Sequence, residues 1–251
     1  MVVAFLLIAP ACVRAQQQPS AIDHGIDPKA DEILKKMGNT LKAAKGVSFK
    51  AHAIVDQLSP DGQKIQYAKN QKVVLRRPDK LAADVVGDNE DLQFRYDGKE
   101  ATIYNPRTNS YGSVAAPDSI PDTLDMLARK YGLVMPLADL AFPDPYTELT
   151  ENVRSGQYIG MGYVFDTKCH HLAFKQDTVD WQIWVEDTEQ ALPRKMVITF
   201  KTEPTQPQYT AFLSDWNLSP ETSDAMFTFT PPPDAKKIEF ATTQPSSGTR
   251  K

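Results

Sequence analysis

The period of the apolar pattern constrains this chain most. From Val47 to Leu218 it is close to two residues, in short segments that each end on a turn signal, with one long interruption. Val47 to Gln57 and Lys64 to Arg76 flank Ser59-Pro60-Asp61-Gly62, a tetrad whose proline and glycine supply the backbone angles of a hairpin turn. Leu81 to Val86, Leu92 to Tyr96, Ala101 to Tyr104 and Ser110 to Val114 continue the run, separated by Gly87-Asp88-Asn89, Asp97-Gly98 and Asn105 to Asn109. After the interruption, strands are predicted from Val153 through Gln157 to Phe165, Cys169 to Lys175, Trp181 to Glu186, Met196 to Lys201 and Gln208 to Leu218, with a last short one near Lys237 to Phe240. Short local connections make neighbours antiparallel. So many twisted strands cannot stay open and flat. The expectation is an α+β fold: a curved antiparallel sheet or incomplete barrel of about eleven strands.

Only two main helices are available to cover it. Asp27 caps the first, Pro28 suits its first turn, and Ala30, Ile33, Leu34, Met37, Leu41 and Ala44 form one apolar face before Gly46 closes the segment. The second interrupts the strands: Ser119 is its cap, Ile120, Leu124, Leu127, Ala128 and Tyr131 follow at helical spacing, and Gly132 ends it. Leu133 to Leu149 holds Pro136, Pro143 and Pro145, which leaves room for one or two short helical turns.

Two helices seal a curved sheet of this span only in part, so an apolar space between sheet and helices is expected, with helix 119–131 as a lid. Leu124, Leu127 and Tyr131 on that helix, with Leu133 and Phe142 beside it, are the candidate ligand-binding residues. The plain alternative is that these side chains are ordinary core.

The ends suggest a compartment. Met1 to Ala15 is apolar, too short for an ordinary membrane helix, and followed at once by Gln16-Gln17-Gln18-Pro19-Ser20; it reads as a secretory signal with cleavage after Ala15, although it lacks a basic start. Lipidation of Cys12 is the rival reading, and Ala9 stands where such a site carries a large aliphatic residue. Residues 16–26 read as a flexible lead-in, 27–241 as a single half-barrel domain and 242–251 as a disordered tail. With Cys12 removed, Cys169 has no intramolecular partner.

The search for reaction chemistry returns little. Lys and Arg total 28 against 32 Asp and Glu, a net charge of −4, which excludes a nucleic-acid footprint. No nucleophile elbow, zinc-protease, phosphate-loop or calcium-loop motif occurs, and no cofactor is implied. Cys169-His170-His171 is the one suggestive cluster, but on a strand Cys169 and His171 share a face while His170 points the other way, so at most two of the three reach one metal ion. Packing is the simpler account of all three. By the same alternation Trp181 and Trp184 face opposite sides of their strand.

Several segments resemble a family of predicted bacterial periplasmic proteins known as DUF2092: Tyr96-Asp97-Gly98-Lys99 followed by Tyr104-Asn105-Pro106, Leu133 to Leu140, His171-Leu172-Ala173-Phe174, Asp180 to Trp184 and Pro193-Arg194-Lys195. The Tyr-Asp-Gly turn and Phe227 to Pro232 are also distantly similar to lipoprotein carriers of the LolA and LolB type. The resemblance implies a periplasmic location and an incomplete barrel closed by helices over an apolar cavity. It supplies no site residues, and the arginine with which LolA-type carriers latch their lid has no aligned counterpart. The expected function is therefore a non-enzymatic binding or carrier protein for a lipid or acylated ligand. The alternatives are an envelope protein-interaction or sensory module, and a hydrolase or metal enzyme centred on Cys169 and His171.

Overall fold

The computed structural model describes residues 25–242. The leader at 1–15 with Cys12, residues 16–24 of the lead-in and 243–251 of the tail lie outside the described residues. Gly25 and Ile26, the end of the lead-in, are tied down: Ile26 bridges Gly156 in parallel, and Asp27 N–H donates to the Gly156 carbonyl at 2.9 Å.

Among the described residues, twelve strands form one open, curved sheet in an α+β fold. The first meander comprises β1 (Gly46–Leu58), β2 (Lys64–Arg76), β3 (Lys80–Gly87), β4 (Asp91–Tyr96), β5 (Glu100–Asn105) and β6 (Ser110–Ala115). The second comprises β7 (Ser155–Val164), β8 (Thr167–Lys175), β9 (Val179–Glu186), β10 (Pro193–Phe200) and β11 (Gln208–Asn217). Pairing of β1 with β11 joins them, and β12 (Lys236–Lys237) adds to the far edge, giving the order β12-β6-β5-β4-β3-β2-β1-β11-β10-β9-β8-β7. The expected fold is what the structure shows, with two differences of detail among the described residues: the strands number twelve against about eleven, and one short pairing is parallel. β12 runs parallel to β6, because the chain crosses the sheet end after β11 and returns alongside it.

The first helix, α1 (Pro28–Ala43), starts where its cap directs: Asp27 accepts from the N–H groups of Lys29 and Ala30 at 2.8 and 3.2 Å. It ends earlier than expected. Ala44 is already extended and Gly46 opens β1, where a Cβ would sit 3.2 Å from the Leu75 carbonyl oxygen. Its buried face, Ala30, Ile33, Leu34, Met37 and Leu41, joins Leu172, Phe174, Trp181, Ile183 and Met196 in one solid cluster.

The second helix, the coil after it and a 3-10 turn form a cover over the first meander. α2 (Ile120–Tyr131) has Ser119 Oγ accepting from Asp122 N–H at 3.2 Å, and Gly132 ends it at φ 69°, a left-handed conformation that favours glycine. A 3-10 turn at Ala138–Ala141 and α3 (Pro145–Thr150) follow. α3 lies hard against α1: a Cβ on Gly38 would come within 2.6 Å of Tyr146 Cβ, and Tyr146 donates its hydroxyl to Asp31 at 2.5 Å.

Candidate ligand cavity

Alternation decides which strand residues face the cover. Register places Phe49 of β1 opposite Val73 of β2, Val73 opposite Ala83 of β3, Ala83 opposite Phe94 of β4, and Phe94 opposite Ile103 of β5. One residue pair along, Gln71, Val85 and Leu92 are likewise aligned. All of these side chains point to the same face. Between them and the cover is a cavity of about 330 Å³, roofed by Leu124 of α2, by Gly132 to Ala138, and by Ala141. That volume is at the small end of the range for ligand sites, roughly 300 to 1,000 Å³.

The lining is apolar except for Lys69, Gln71 and Glu90. Lys69 Nζ lies 3.0 Å from Glu90 Oε1, with the two side chains 23% and 45% exposed, so this ion pair marks the mouth. Gln71, two residues along β2, donates to the Tyr209 hydroxyl at 3.1 Å, and burial pushes the Tyr209 hydroxyl far above the ordinary phenol range, which keeps it neutral. The lining holds no Ser, Cys or His, and its two charges are paired with each other. Such a site can shield an apolar body.

The cover is held at a fixed height by Arg77, at the start of the β2–β3 turn. Its Nη1 donates to the Ala44 carbonyl at 2.5 Å and its Nη2 to the Phe142 carbonyl at 2.9 Å, which ties the end of α1 to the cover. Burial lowers the Arg77 pKa, and its Nε is buried without a partner.

Of the five residues singled out from sequence, the structure brings two to the cavity. Leu124 and Leu133 line it. Leu127 is wholly buried in the core, Tyr131 packs against Phe240 at 5.3 Å between ring centroids, and Phe142 packs on the core while its carbonyl accepts from Arg77. The inward residues of β1 to β5, which make half of the lining, are not among the five. Lys69 and Gln71 carried a usable signal, being polar residues in phase with inward Val73 and Leu75.

Cys169, His170 and His171 make separate structural contacts. Cys169 is buried, and burial with Glu186 nearby pushes its thiol up to about 11. His170 contacts the Tyr158 hydroxyl at 3.2 Å and Asp187 at 3.2 Å. His171 stacks on Trp184 at 3.9 Å and contacts Gln182 at 2.9 Å, and burial lowers its pKa. No group of three or more His, Cys, Asp or Glu side chains among the described residues could hold a metal ion. Trp181 is in the core, stacked on Phe174 at 4.1 Å, while Trp184 lies on the opposite face beneath Lys195.

Residues 30–241 match the family described as predicted periplasmic protein (DUF2092). The chain belongs to the DUF2092 family. No curated protein matches this DUF2092 chain. Solved structures similar to it include an uncharacterized conserved protein from Thermus thermophilus, with TM-score 0.49, 10% identity, and coverage of 84% of this chain and 99% of that one. Lipoprotein LppX from Mycobacterium tuberculosis gives TM-score 0.48, 14% identity and coverage of 76% and 96%. A LolA superfamily protein from Nitrosomonas europaea gives 0.39, 10%, and coverage of 80% and 97%. No helix among the described residues is long and apolar enough to cross a membrane.

Proposed function

We propose that this DUF2092 protein is a non-enzymatic periplasmic binding or carrier protein for a hydrophobic or acylated ligand, and that residues 1–15 direct its export and are removed after Ala15. The observation that carries the reading is the cavity of about 330 Å³ between the inner face of β2 to β5 and the cover. Each methylene moved from water into such a space gains about 0.8 kcal/mol, so an acyl chain is the natural cargo. Leu124 and Leu133 contact the chain from above, and Val73, Ala83 and Phe94 from below. Leu127, Tyr131 and Phe142 seat the cover without touching the ligand. The polar end at Lys69 and Glu90 faces water and receives the ligand's head.

The test is native mass spectrometry of protein purified without detergent, followed by titration of delipidated protein with a fluorescent acyl carboxylate. Saturable binding of one equivalent, competed by an unlabelled chain, is the expected result. A bare polypeptide mass together with no saturable binding refutes the carrier reading.

A further inference from the structure

The two edges of the sheet are protected unequally. At β6 the chain covers its own edge: β12 pairs there, Phe229 packs on Tyr104 and Tyr111, and Phe240 lies over Gly112. At β7 only Gly25 to Asp27 pair, and only at Gly156. From Gly160 to Val164 the outer edge has no strand beside it among the described residues. Folded proteins usually blunt such an edge with charge, proline or a bulge. β7 has the bulge, between Tyr158 and Gly160, but from Ser155 to Phe165 it has no charged residue and no proline. Its side chains are greasy and exposed: Met161 at 44%, Tyr163 at 70% and Phe165 at 80%.

Charge at the ends of this free edge says what fits it. Lys29 is exposed, with Nζ 3.9 Å from the centre of the Tyr158 ring, and Asp166 is exposed in the β7–β8 turn. Neither makes an ion pair among the described residues, whereas the neighbouring Arg154 and Lys168 are taken up by Asp177 and Asp187. The two free charges are opposite in sign and sit at opposite ends of the edge.

We infer that the edge pairs with a second copy of this chain, β7 against β7, antiparallel about a two-fold axis at Gly162. Met161 of each copy then faces Tyr163 of the other on the inner face of the joined sheet, and Gly160 faces Val164. Glycine at the axis leaves no side chain to crowd its own image. Asp166 of each copy arrives beside Tyr158 of the other, where Lys29 waits. A strand with a different charge pattern would find no such match, since like charges across a ladder are destabilising. The contact is isologous and closes as a dimer.

Sedimentation equilibrium of the full chain over about a hundredfold concentration range tests this, since dimerisation follows mass action. A monomer–dimer equilibrium is expected. Tyr163→Lys and Met161→Lys each weaken it at least about tenfold, with thermal unfolding showing that the fold is kept. Lys29→Glu and Asp166→Lys each weaken it as well, and the doubly swapped variant recovers the wild-type constant. A wild-type chain that stays monomeric, as it would if the edge serves another protein's strand, overturns the inference. So does a dimer that survives Tyr163→Lys, or a double swap weaker than either single change.

Discussion

Cavity length can be read as chain length. An apolar cavity of about 150 Å³ accommodates a benzene ring, which gives roughly 25 Å³ per carbon. On that scale the space of about 330 Å³ takes about thirteen carbons. Affinity for straight-chain carboxylates should therefore rise about fourfold per added methylene, the equivalent of about 0.8 kcal/mol, and level off near thirteen carbons. Ala83 lies on the inner face between Val73 and Phe94, and Ala83→Phe places a six-carbon ring in the hollow. The plateau then moves to about seven carbons, while the slope below it is unchanged. Because the ring enters empty space, the denaturation midpoint is not lowered. Val86→Phe is the control: Val86 is 61% exposed on the opposite face of the same strand, and its substitution leaves the plateau in place. Isothermal titration calorimetry across chains of about six to about sixteen carbons reads both quantities. A plateau at the same length in the wild type and Ala83→Phe, or an equal shift in Val86→Phe, refutes the assignment of this space as the binding site.

Three further outcomes follow from single side chains. Arg77→Ala leaves the Ala44 and Phe142 carbonyls without their donors and should cost about 1 to 3 kcal/mol of unfolding free energy in a urea titration; a loss under about 0.5 kcal/mol contradicts the strut role. Cys169, with its thiol pushed up to about 11, should resist a thiol-specific reagent at pH 8 in the folded protein and react at once in denaturant; rapid labelling of folded protein contradicts its burial. Burial raises the Asp139 pKa above the ordinary aspartate value, so the folded state holds that proton more tightly than the unfolded chain. The resulting penalty is complete above the folded-state pKa and gone below the unfolded one. Asp139→Asn should raise the melting temperature at neutral pH, by an amount that shrinks on acidification. The difference between variant and wild type isolates this effect from carboxylates such as Asp31 and Asp144, whose pKa values are lowered and whose contribution is lost in acid.

Local chemistry made most of the elements legible. Ser119 and Gly132 mark both ends of α2 because each satisfies backbone groups at a helix terminus, whatever the rest of the chain does. The strands were readable through alternation and turn residues. The join of β1 to β11 was not, because pairing between residues far apart in sequence has no local signature. The cavity lining was obscure for the same reason. Trp181, Ile183 and Val185 on β9 alternate inward just as Leu81, Ala83 and Val85 do on β3, yet only the latter line the cavity under the cover. What differs is the layer above: α1 fills the hollow over β9, and the coil from Leu133 to Leu137 does not fill the one over β3. Leu124 and Leu127 make the point on a single helix, one turn apart, with one facing the space and the other sealed in the core.

A hollow of this kind has a cost that constrains what the protein is for. At about 24 cal/mol per Å³, leaving 330 Å³ unfilled forgoes up to roughly 8 kcal/mol, a ceiling because the Lys69–Glu90 end admits water. That is comparable with the whole stability of an ordinary domain, about 5 to 15 kcal/mol. Larger side chains at Ala83, Ala138 or Ala141 would close the space with no change of fold. Instead the space is kept, and a buried guanidinium, desolvated enough to lower its pKa, ties Phe142 of the cover to the end of α1. The unfilled volume works against stability, and it is accounted for if the space is there to be occupied.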